Sequence, residues 1–189
     1  MSLINKALIK QIASQYVLSL DGIHGLGHWS RVLANGRKLS RLTGANLNVV
    51  ELFAMFHDCR RFNDGSDPEH GLRGALLAVE KRGDWFDISD GEMDLLFEAC
   101  SNHTSGISHP DITVQTCWDA DRLDIGRVGI RPNPNYLCTD AAKSNEMLEW
   151  AHFNRHDKWV RTGEEAARKY LAKQKASRNK GLIYGVSAY

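Results

Sequence analysis

Six residues with metal-ligating side chains are spread over the middle of this 189-residue chain. In chain order they are His28, the adjacent pair His57 and Asp58, His70, His103, and Asp121 in the segment WDADRLD. Neutral imidazole nitrogens and carboxylate oxygens suit Zn, Mn, Fe, Co or Ni, whereas Ca prefers a shell made only of oxygen. If the fold brings these side chains together, they can hold a divalent cation.

Helices are expected to position these residues, because apolar side chains recur at helical spacing along most of the chain. The spacing predicts a first helix over residues 3–19 and a second over about residues 28–42, with a break at Gly44. Asn46 opens a third helix, whose apolar run VVELFAMF leads directly into the His-Asp pair. That run would bury the end of the helix and keep bulk water away from a bound cation.

Three more helices are expected downstream, each with a recognisable first residue. Pro68 can open a helix that carries HGLRGALLAVEKR. Ser89 or Asp90 caps a helix that ends near His103, and Asp111 caps the helix that carries VQTCWDADRLD. Each of these helices therefore carries one or more of the candidate ligands at or near an end.

The C-terminal third predicts less regular structure. Residues 126–139 contain two prolines and predict a loop near the cluster, followed by helices over residues 140–153 and 156–175. The run GLIYGV near the end is only a weak strand signal. We expect one helical domain over residues 1–176 and a flexible tail over residues 177–189.

The bulk composition is that of an ordinary globular chain. Hydrophobic residues make up 42% and charged residues 25% of it, and its length fits one domain with a full core. The net charge of +1 gives no reason to expect a nucleic-acid or membrane partner. We find no signal peptide or membrane span in the sequence and expect a cytoplasmic location. The four cysteines lack CxxC spacing and are expected to be free thiols.

Five short motifs follow one another between about residues 24 and 130: HWSRV, FHDCRR, EHGLRGA, NHTSG and DADRLD. In this order they resemble the HD-domain superfamily of metal-dependent phosphohydrolases. The resemblance implies an all-α fold, a single-domain helical bundle with the metal site between helices. Matched position by position, it also implies that His28, His57, Asp58 and Asp121 are metal ligands.

Two aspartates in DADRLD compete for the last ligand position. In HD proteins the ligand is the aspartate directly before Arg-Leu or a similar pair, which here is Asp121. Asp119 lies two positions earlier, and residues two apart on a helix do not share a face. We therefore expect Asp121 rather than Asp119 at the cation.

His70 and His103 have two interpretations. Some HD proteins carry extra histidines and bind two metals, with the aspartate of the pair, here Asp58, as the bridge. Two metals can clamp both the attacking and the leaving oxygen of a phosphate displacement. Alternatively, both histidines contact the substrate phosphate. The sequence leaves this choice open, and it leaves the ion open as well: one or two of Mn, Fe, Co, Ni, Mg or Zn.

The resemblance implies that a metal-activated hydroxide hydrolyses a small phosphate ester, above all a nucleotide. Arginines near the motifs would stabilise charge on the transferred group. We expect Asp58, Arg61 and Arg73 to take part in catalysis, because the two arginines flank the loop around His70. Residues expected to bind the substrate are His24, Arg31, Arg60 and Arg122. A solvated surface charge is the alternative for each arginine.

Other functions remain open at this point. Six candidate ligands also permit the mixed-valent di-iron pair with which some HD proteins oxygenate a substrate. A non-catalytic signalling module that binds a nucleotide is a third alternative, although a sensor needs no hydroxide-generating metal. A second pair, His156-Asp157, lacks a following Asp-Arg-Leu element and predicts only a helix start. The basic segment RKYLAKQKASRNK predicts a solvated helix face rather than a nucleic-acid surface, and the oligomeric state is not determined.

Overall fold

The protein is all-α over residues 2–154, the part of the chain that the computed structural model describes. Its α-helices are α1 (Lys6–Ala13), α2 (Leu26–Thr43), α3 (Leu47–Phe56), α4 (His70–Lys81), α5 (Asp90–Asn102), α6 (Ile112–Arg122), α7 (Asp140–Lys143) and α8 (Asn145–Asn154). Within this part the β-type pairing is limited to one isolated bridge between Arg82 and Phe86. None of these helices is both long and apolar enough to cross a bilayer. The predicted all-α bundle is confirmed.

Helix α3 forms the centre of the bundle. Its sequence, LNVVELFAMF, is apolar on every side, and such a helix must be surrounded by other helices. Helices α1, α2, α4, α5 and α6 all pack against it. Its one charged residue, Glu51, is buried but satisfied: Arg37 Nε lies 2.7 Å from its carboxylate and the Ser2 hydroxyl donates to it over 2.6 Å.

Local signals determine where most helices begin. The Asn46 side chain accepts hydrogen bonds from the first turn of α3, and the Asp111 side chain does the same for α6. Ser89 and Glu92 form a complete capping box at α5. Helix α2 ends at Gly44, whose φ of 76° lies in the left-handed region that favours glycine. These starts and this stop agree with the sequence-based predictions.

Three helices differ from the prediction. Helix α4 begins at His70, two residues after Pro68, because Pro68 and Glu69 form a turn before it. The first helix ends at Ala13 instead of continuing to residue 19, because the Ser14 hydroxyl bonds back to the Gln11 carbonyl and the next two amides make short-range i−3 bonds. The segment over 140–153 is two helices, since Ser144 adopts an extended backbone between them.

The predicted loop over residues 126–139 begins inside a short 3-10 helix, Leu123–Val128, and contains a second one, Pro134–Tyr136. The predicted helix over 156–175, the His156-Asp157 pair, the weak strand signal and the tail lie outside the described residues.

Two glycines allow α4 to approach its neighbours closely. A Cβ atom on Gly71 would lie 2.2 Å from the carbonyl oxygen of Cys100, and one on Gly74 would lie 2.2 Å from that of Phe56. Any larger side chain would push α4 away from α3 and α5. The motif HGLRGA therefore brings His70, the first residue of α4, against the ends of these two helices.

Candidate metal centre

Helix ends deliver the six candidate ligands to one place. His28 lies in the first turn of α2, and His57 and Asp58 directly follow α3. His70 begins α4, and His103 directly follows α5. Asp121 is the penultimate residue of α6. Helix ends suit this purpose because side chains there can point along the axis into a space that several helices share.

The first group of ligand atoms consists of His28, His57, Asp58 and Asp121. The Nε2 atom of His28 lies 3.0 Å from Nε2 of His57, 3.4 Å from Oδ2 of Asp58 and 3.3 Å from Oδ1 of Asp121. The His57 Nε2 atom lies 3.7 Å from the same Asp58 oxygen and 3.8 Å from the same Asp121 oxygen. One oxygen of each aspartate therefore faces two imidazole nitrogens.

The second group uses the other oxygen of Asp58. Oδ1 of Asp58 lies 3.0 Å from Nε2 of His70 and 3.7 Å from Nε2 of His103. The two imidazole nitrogens are 2.9 Å apart. The cluster therefore contains two buried groups that could each hold a metal ion. One group is His28, His57 and Asp58, and the other is Asp58, His70 and His103. Asp58 belongs to both groups, one oxygen to each.

The spacing of these atoms is compatible with a bound metal ion. Two ligand atoms that each lie about 2.1 Å from one ion are about 3.0 Å apart at a right angle and about 3.4 Å apart at the tetrahedral angle. The separations in both groups run from 2.9 to 3.8 Å. Nitrogen and carboxylate donors at these distances could hold a metal ion.

All four histidines turn the same nitrogen toward the centre. On the opposite side of each ring, Nδ1 contacts an oxygen: a carboxylate for His28, and the carbonyls of Phe53, Asp67 and Cys100 for His57, His70 and His103. A carbonyl only accepts hydrogen bonds, so Nδ1 of the last three carries the ring proton. Their Nε2 lone pairs then face the cluster as a metal requires.

This arrangement leaves a conflict between neighbouring lone pairs that a cation resolves. The Nε2 atoms of His70 and His103 are 2.9 Å apart, and each ring already donates its proton to a carbonyl through Nδ1. Two unprotonated nitrogens at that distance repel each other. The repulsion is relieved by a metal cation beside both, or by a second proton on His103, whose pKa is raised, against the effect of burial, by the contact with Asp58. The donor set therefore fits a bound divalent cation.

The electrostatics of the centre favour positive charge. Burial opposes ionisation of Asp58, but the adjacent His57 and contacts with His103, His28 and His70 hold the pKa of its carboxyl well below the usual range. The pKa of Asp121 is lowered as well, by His28 above all, against the effect of burial. Although burial lowers the pKa of His28, Asp121, Asp124 and Asp58 together raise it to about 10. Carboxylates that attract a proton so strongly also attract a metal ion.

Water reaches the centre mainly at Asp121. Its side chain is 19% exposed, whereas the other five side chains are 0 to 4% exposed. Substrate access is therefore expected on the Asp121 side. The buried walls on the other sides reduce the local dielectric, which strengthens every charge interaction inside.

Arg61 is the arginine that reaches the cluster. Its Nη1 atom lies 3.2 Å from Oδ1 of Asp58 and 3.1 Å from Nε2 of His70, and its other nitrogens bond the carbonyls of Asn63 and Gly65. The guanidinium thus supplies positive charge to the second group. An ion in that group would share the Asp58 oxygen with Arg61 or displace it.

The other predicted arginines are anchored around the cluster. Arg73 bonds both oxygens of Asp67 at 2.6 Å and orders the loop before α4. Arg60 reaches Gln15 over 3.5 Å. Within residues 2–154, neither arginine makes a hydrogen bond or ion pair with any of the six ligands.

Arg122 bonds the carbonyls of Gly106 and Tyr136 and closes the loop that follows α6. His24 pairs with Asp64 over 2.8 Å, and the centre of its ring lies 6.1 Å from that of His28. His24 therefore stands beside the cluster without taking part in it.

Asp119 and Asp121 point in opposite directions. Asp119 is completely buried and accepts hydrogen bonds from the amides of Cys138 and Thr139 and from the Thr139 hydroxyl, at 2.6 to 2.8 Å. Burial raises its pKa although these bonds oppose the shift. Asp119 thus fastens the loop before α7, while Asp121 faces the histidines.

Asp124 also belongs to the site, although no motif in the sequence marks it as a functional residue. Its Oδ2 atom accepts a hydrogen bond from Nδ1 of His28 over 2.7 Å, and its Oδ1 atom accepts one from Nε of Arg31 over 2.7 Å. A carboxylate behind a ligating histidine fixes the ring and increases the basicity of the other nitrogen. The available signal was its position three residues after Asp121, which places both on the same face of a helix.

Comparisons with known proteins reveal no relative of this chain. No protein-family model, curated protein or solved structure matches this chain.

Proposed function

We propose that this protein is a metal-dependent phosphohydrolase of the HD type, which hydrolyses a nucleotide or another small phosphate ester. The observation that carries the proposal is the sharing of Asp58 between two histidine pairs, whose Nε2 atoms all face inward. Four buried imidazoles whose Nε2 atoms face one another are a costly arrangement unless a cation is bound. The order of the motifs along the chain supports the HD assignment.

The residues that would hold the ion or ions are His28, His57, Asp58, His70, His103 and Asp121. When bound there, a divalent cation lowers the pKa of a coordinated water toward neutrality and polarises phosphoryl oxygens. Asp124 keeps the His28 ring in place through Nδ1. Apolar residues of α3 and the surrounding helices keep bulk water away from all sides except that of Asp121.

Arg61 supplies the fixed positive charge for the transferred group. Its side chain is only 10% exposed and its Nη1 atom already lies against Asp58. A guanidinium in a buried, pre-oriented position stabilises the charge that develops on phosphoryl oxygens better than a solvated one does. We assign His24, Arg31, Arg60, Arg73 and Arg122 to the surroundings of the substrate, where they add positive potential or order the loops.

An oxygenase with two irons is the second candidate, because the same two groups and their shared carboxylate also suit an iron pair. The two functions differ in what they consume. An oxygenase needs bound iron and molecular oxygen and releases no phosphate, whereas the phosphohydrolase releases phosphate or a nucleotide product without oxygen.

Product release from a panel of nucleotides and phosphate esters tests the proposal. The protein would be assayed with Mn, Co, Ni, Mg and Fe in turn, beside the variants Asp58→Asn and Asp140→Asn. Asp140 is fully exposed, so its variant controls for the loss of one carboxylate. We expect metal-dependent turnover that Asp58→Asn reduces at least a hundredfold and Asp140→Asn leaves unchanged.

The proposal is wrong if Asp58→Asn keeps full activity, or if no metal supports turnover of any substrate in the panel. In the second case, iron content and oxygen uptake by the iron-loaded protein would test the oxygenase.

A further inference from the structure

The hydroxyl of Tyr16 is a buried hydrogen-bond donor for which the described residues provide no acceptor. Tyr16 is 8% exposed, and within residues 2–154 its hydroxyl has no hydrogen-bond partner. A buried hydroxyl without a partner destabilises the folded state relative to water, where it is always hydrogen-bonded. Such a group is satisfied by an ordered water, an ion or a bound ligand.

The backbone and a neighbouring ring hold Tyr16 in place. The Tyr16 amide bonds the Ala13 carbonyl in the turn after α1. Its ring meets Trp29 edge to face, with centroids 5.3 Å apart and an angle of 73°. Trp29 is the residue after His28 and is itself buried. The tyrosine is therefore positioned against the first turn of the helix that carries a candidate metal ligand.

The charged groups around the hydroxyl belong to the metal centre and its border. The charges of Asp58, Asp64 and Arg61 act on it: the two carboxylates raise its pKa and the guanidinium lowers it. Burial, together with these two carboxylates, raises the pKa of Tyr16, so the group stays protonated and can donate. Both carboxylates already have partners: Asp58 contacts Arg61 and histidines, and Asp64 pairs with His24. The hydroxyl proton remains available for a ligand.

We propose that the Tyr16 hydroxyl donates a hydrogen bond to a phosphoryl oxygen of the substrate at the metal centre. This inference rests on the proposed phosphohydrolase function. The ligand that suits the position is an oxyanion, because it can accept a hydrogen bond from Tyr16 and is attracted by the Arg61 guanidinium, whose charge acts on the Tyr16 hydroxyl. Tyr16 is then a substrate-contacting residue that the turn after α1 contributes to a site otherwise built by α2 to α6.

The variant Tyr16→Phe tests the inference, because it removes one oxygen and keeps the ring on Trp29. Binding of inorganic phosphate to the Mn-loaded protein would be measured by calorimetry, and kcat/KM would be measured on a substrate found in the panel. We expect phosphate affinity and kcat/KM to fall about tenfold or more, as for a lost hydrogen bond to a charged group. Mn affinity should stay unchanged, and Tm should stay the same or rise.

Tyr136→Phe is the matched control, because Tyr136 is 72% exposed. It should behave like the wild type in every measurement. If wild-type protein is active and Tyr16→Phe equals it in phosphate binding and kcat/KM, the inference fails while the proposed function stands. In that case the hydroxyl meets only a structural water, which the unpartnered Nε1 of Trp29 could share.

Loss of Mn binding in Tyr16→Phe would also overturn the inference, since the residue would then support the metal centre rather than the substrate. If the wild type neither binds phosphate nor hydrolyses any substrate with any metal, the inference and the proposed function fail together.

Discussion

Replacement of Asp124 by asparagine is expected to weaken divalent-metal binding about 10- to 100-fold. Asp124 does not face the ion. It holds the far side of the His28 ring, over 2.7 Å between Oδ2 and Nδ1, in a place where Asp124 is 4% exposed and His28 is completely buried. The substitution keeps the shape of the side chain and removes its charge.

The magnitude follows from the two bonds that Asp124 makes. One oxygen accepts from His28 and the other from Arg31 Nε, which is also 2.7 Å away. An asparagine has only one oxygen, so its NH₂ group must face one of these two donors. If it faces His28, the ring loses its orienting partner; if it faces Arg31, the bond to His28 remains but is neutral. A 10- to 100-fold loss corresponds to about 1.4 to 2.7 kcal/mol of binding free energy.

Calorimetric titration of metal-free protein with Mn or Ni would measure the effect. The matched control is Asp64→Asn, because Asp64 also pairs with the Nδ1 atom of a histidine, here His24, over a nearly equal 2.8 Å. His24 is not one of the six candidate ligands, so this variant should bind metal like the wild type. Circular dichroism and Tm would verify that both variants are folded.

Equal metal affinity of wild type, Asp124→Asn and Asp64→Asn would refute the reasoning, because His28 would then need no orienting carboxylate or would not bind the ion. A similar loss in both aspartate variants would also refute it, since the effect would reflect general loss of negative charge.

Two further predictions concern stoichiometry and stability. His103→Ala should lower the amount of metal bound per chain by one equivalent, as measured by elemental analysis after loading with Mn. The control variant His109→Ala lies outside both groups and should bind as much metal as the wild type. Unchanged stoichiometry in His103→Ala would mean that His103 contacts substrate instead. Glu92→Gln should destabilise the protein at pH 7 by about 0.3 to 1 kcal/mol, since the Glu92 carboxylate caps α5. Asn48 and Ser89 above all lower the Glu92 pKa from 4.5 to about 2. A carboxyl whose pKa is lower in the folded state stabilises it above pH 4.5 and loses this effect as the pH falls toward 2. The difference between wild type and Glu92→Gln in chemical denaturation should therefore be smaller at pH 3 than at pH 7, and an equal difference would argue against a charge effect.

Most helix boundaries could be predicted because their causes are local. The side chains of Asn46, Ser89 and Asp111 bond amides within three residues of themselves, and Gly44 stops α2 through its own backbone conformation. Such interactions are readable from a short window of sequence. The first helix was predicted too long, because hydrophobic spacing continues to Tyr16 while the backbone already turns after Ala13.

The six candidate ligands could be selected from residue types and motif order. Helical geometry indicated in addition that Asp119 and Asp121 could not both face the site. On a helix two residues apart point in nearly opposite directions, whatever surrounds them. That rule cannot say which of the two faces the histidines. The packing of α6 decides it, with Asp121 turned to the centre and Asp119 bonded to Cys138 and Thr139.

The convergence of the site and its supporting residues was decided only by tertiary structure. His28 meets His57 across 29 positions, His70 meets His103 across 33, and His28 meets Asp124 across 96. No local pattern encodes such pairs, because they depend on how closely the helices pack, as Gly71 and Gly74 allow α4 to do. The sequence by itself determined which side chains could bind a metal and which helices carry them. The tertiary packing decided that they share Asp58, that Asp124 stands behind His28, and that the Tyr16 hydroxyl finds no hydrogen-bond partner among residues 2–154.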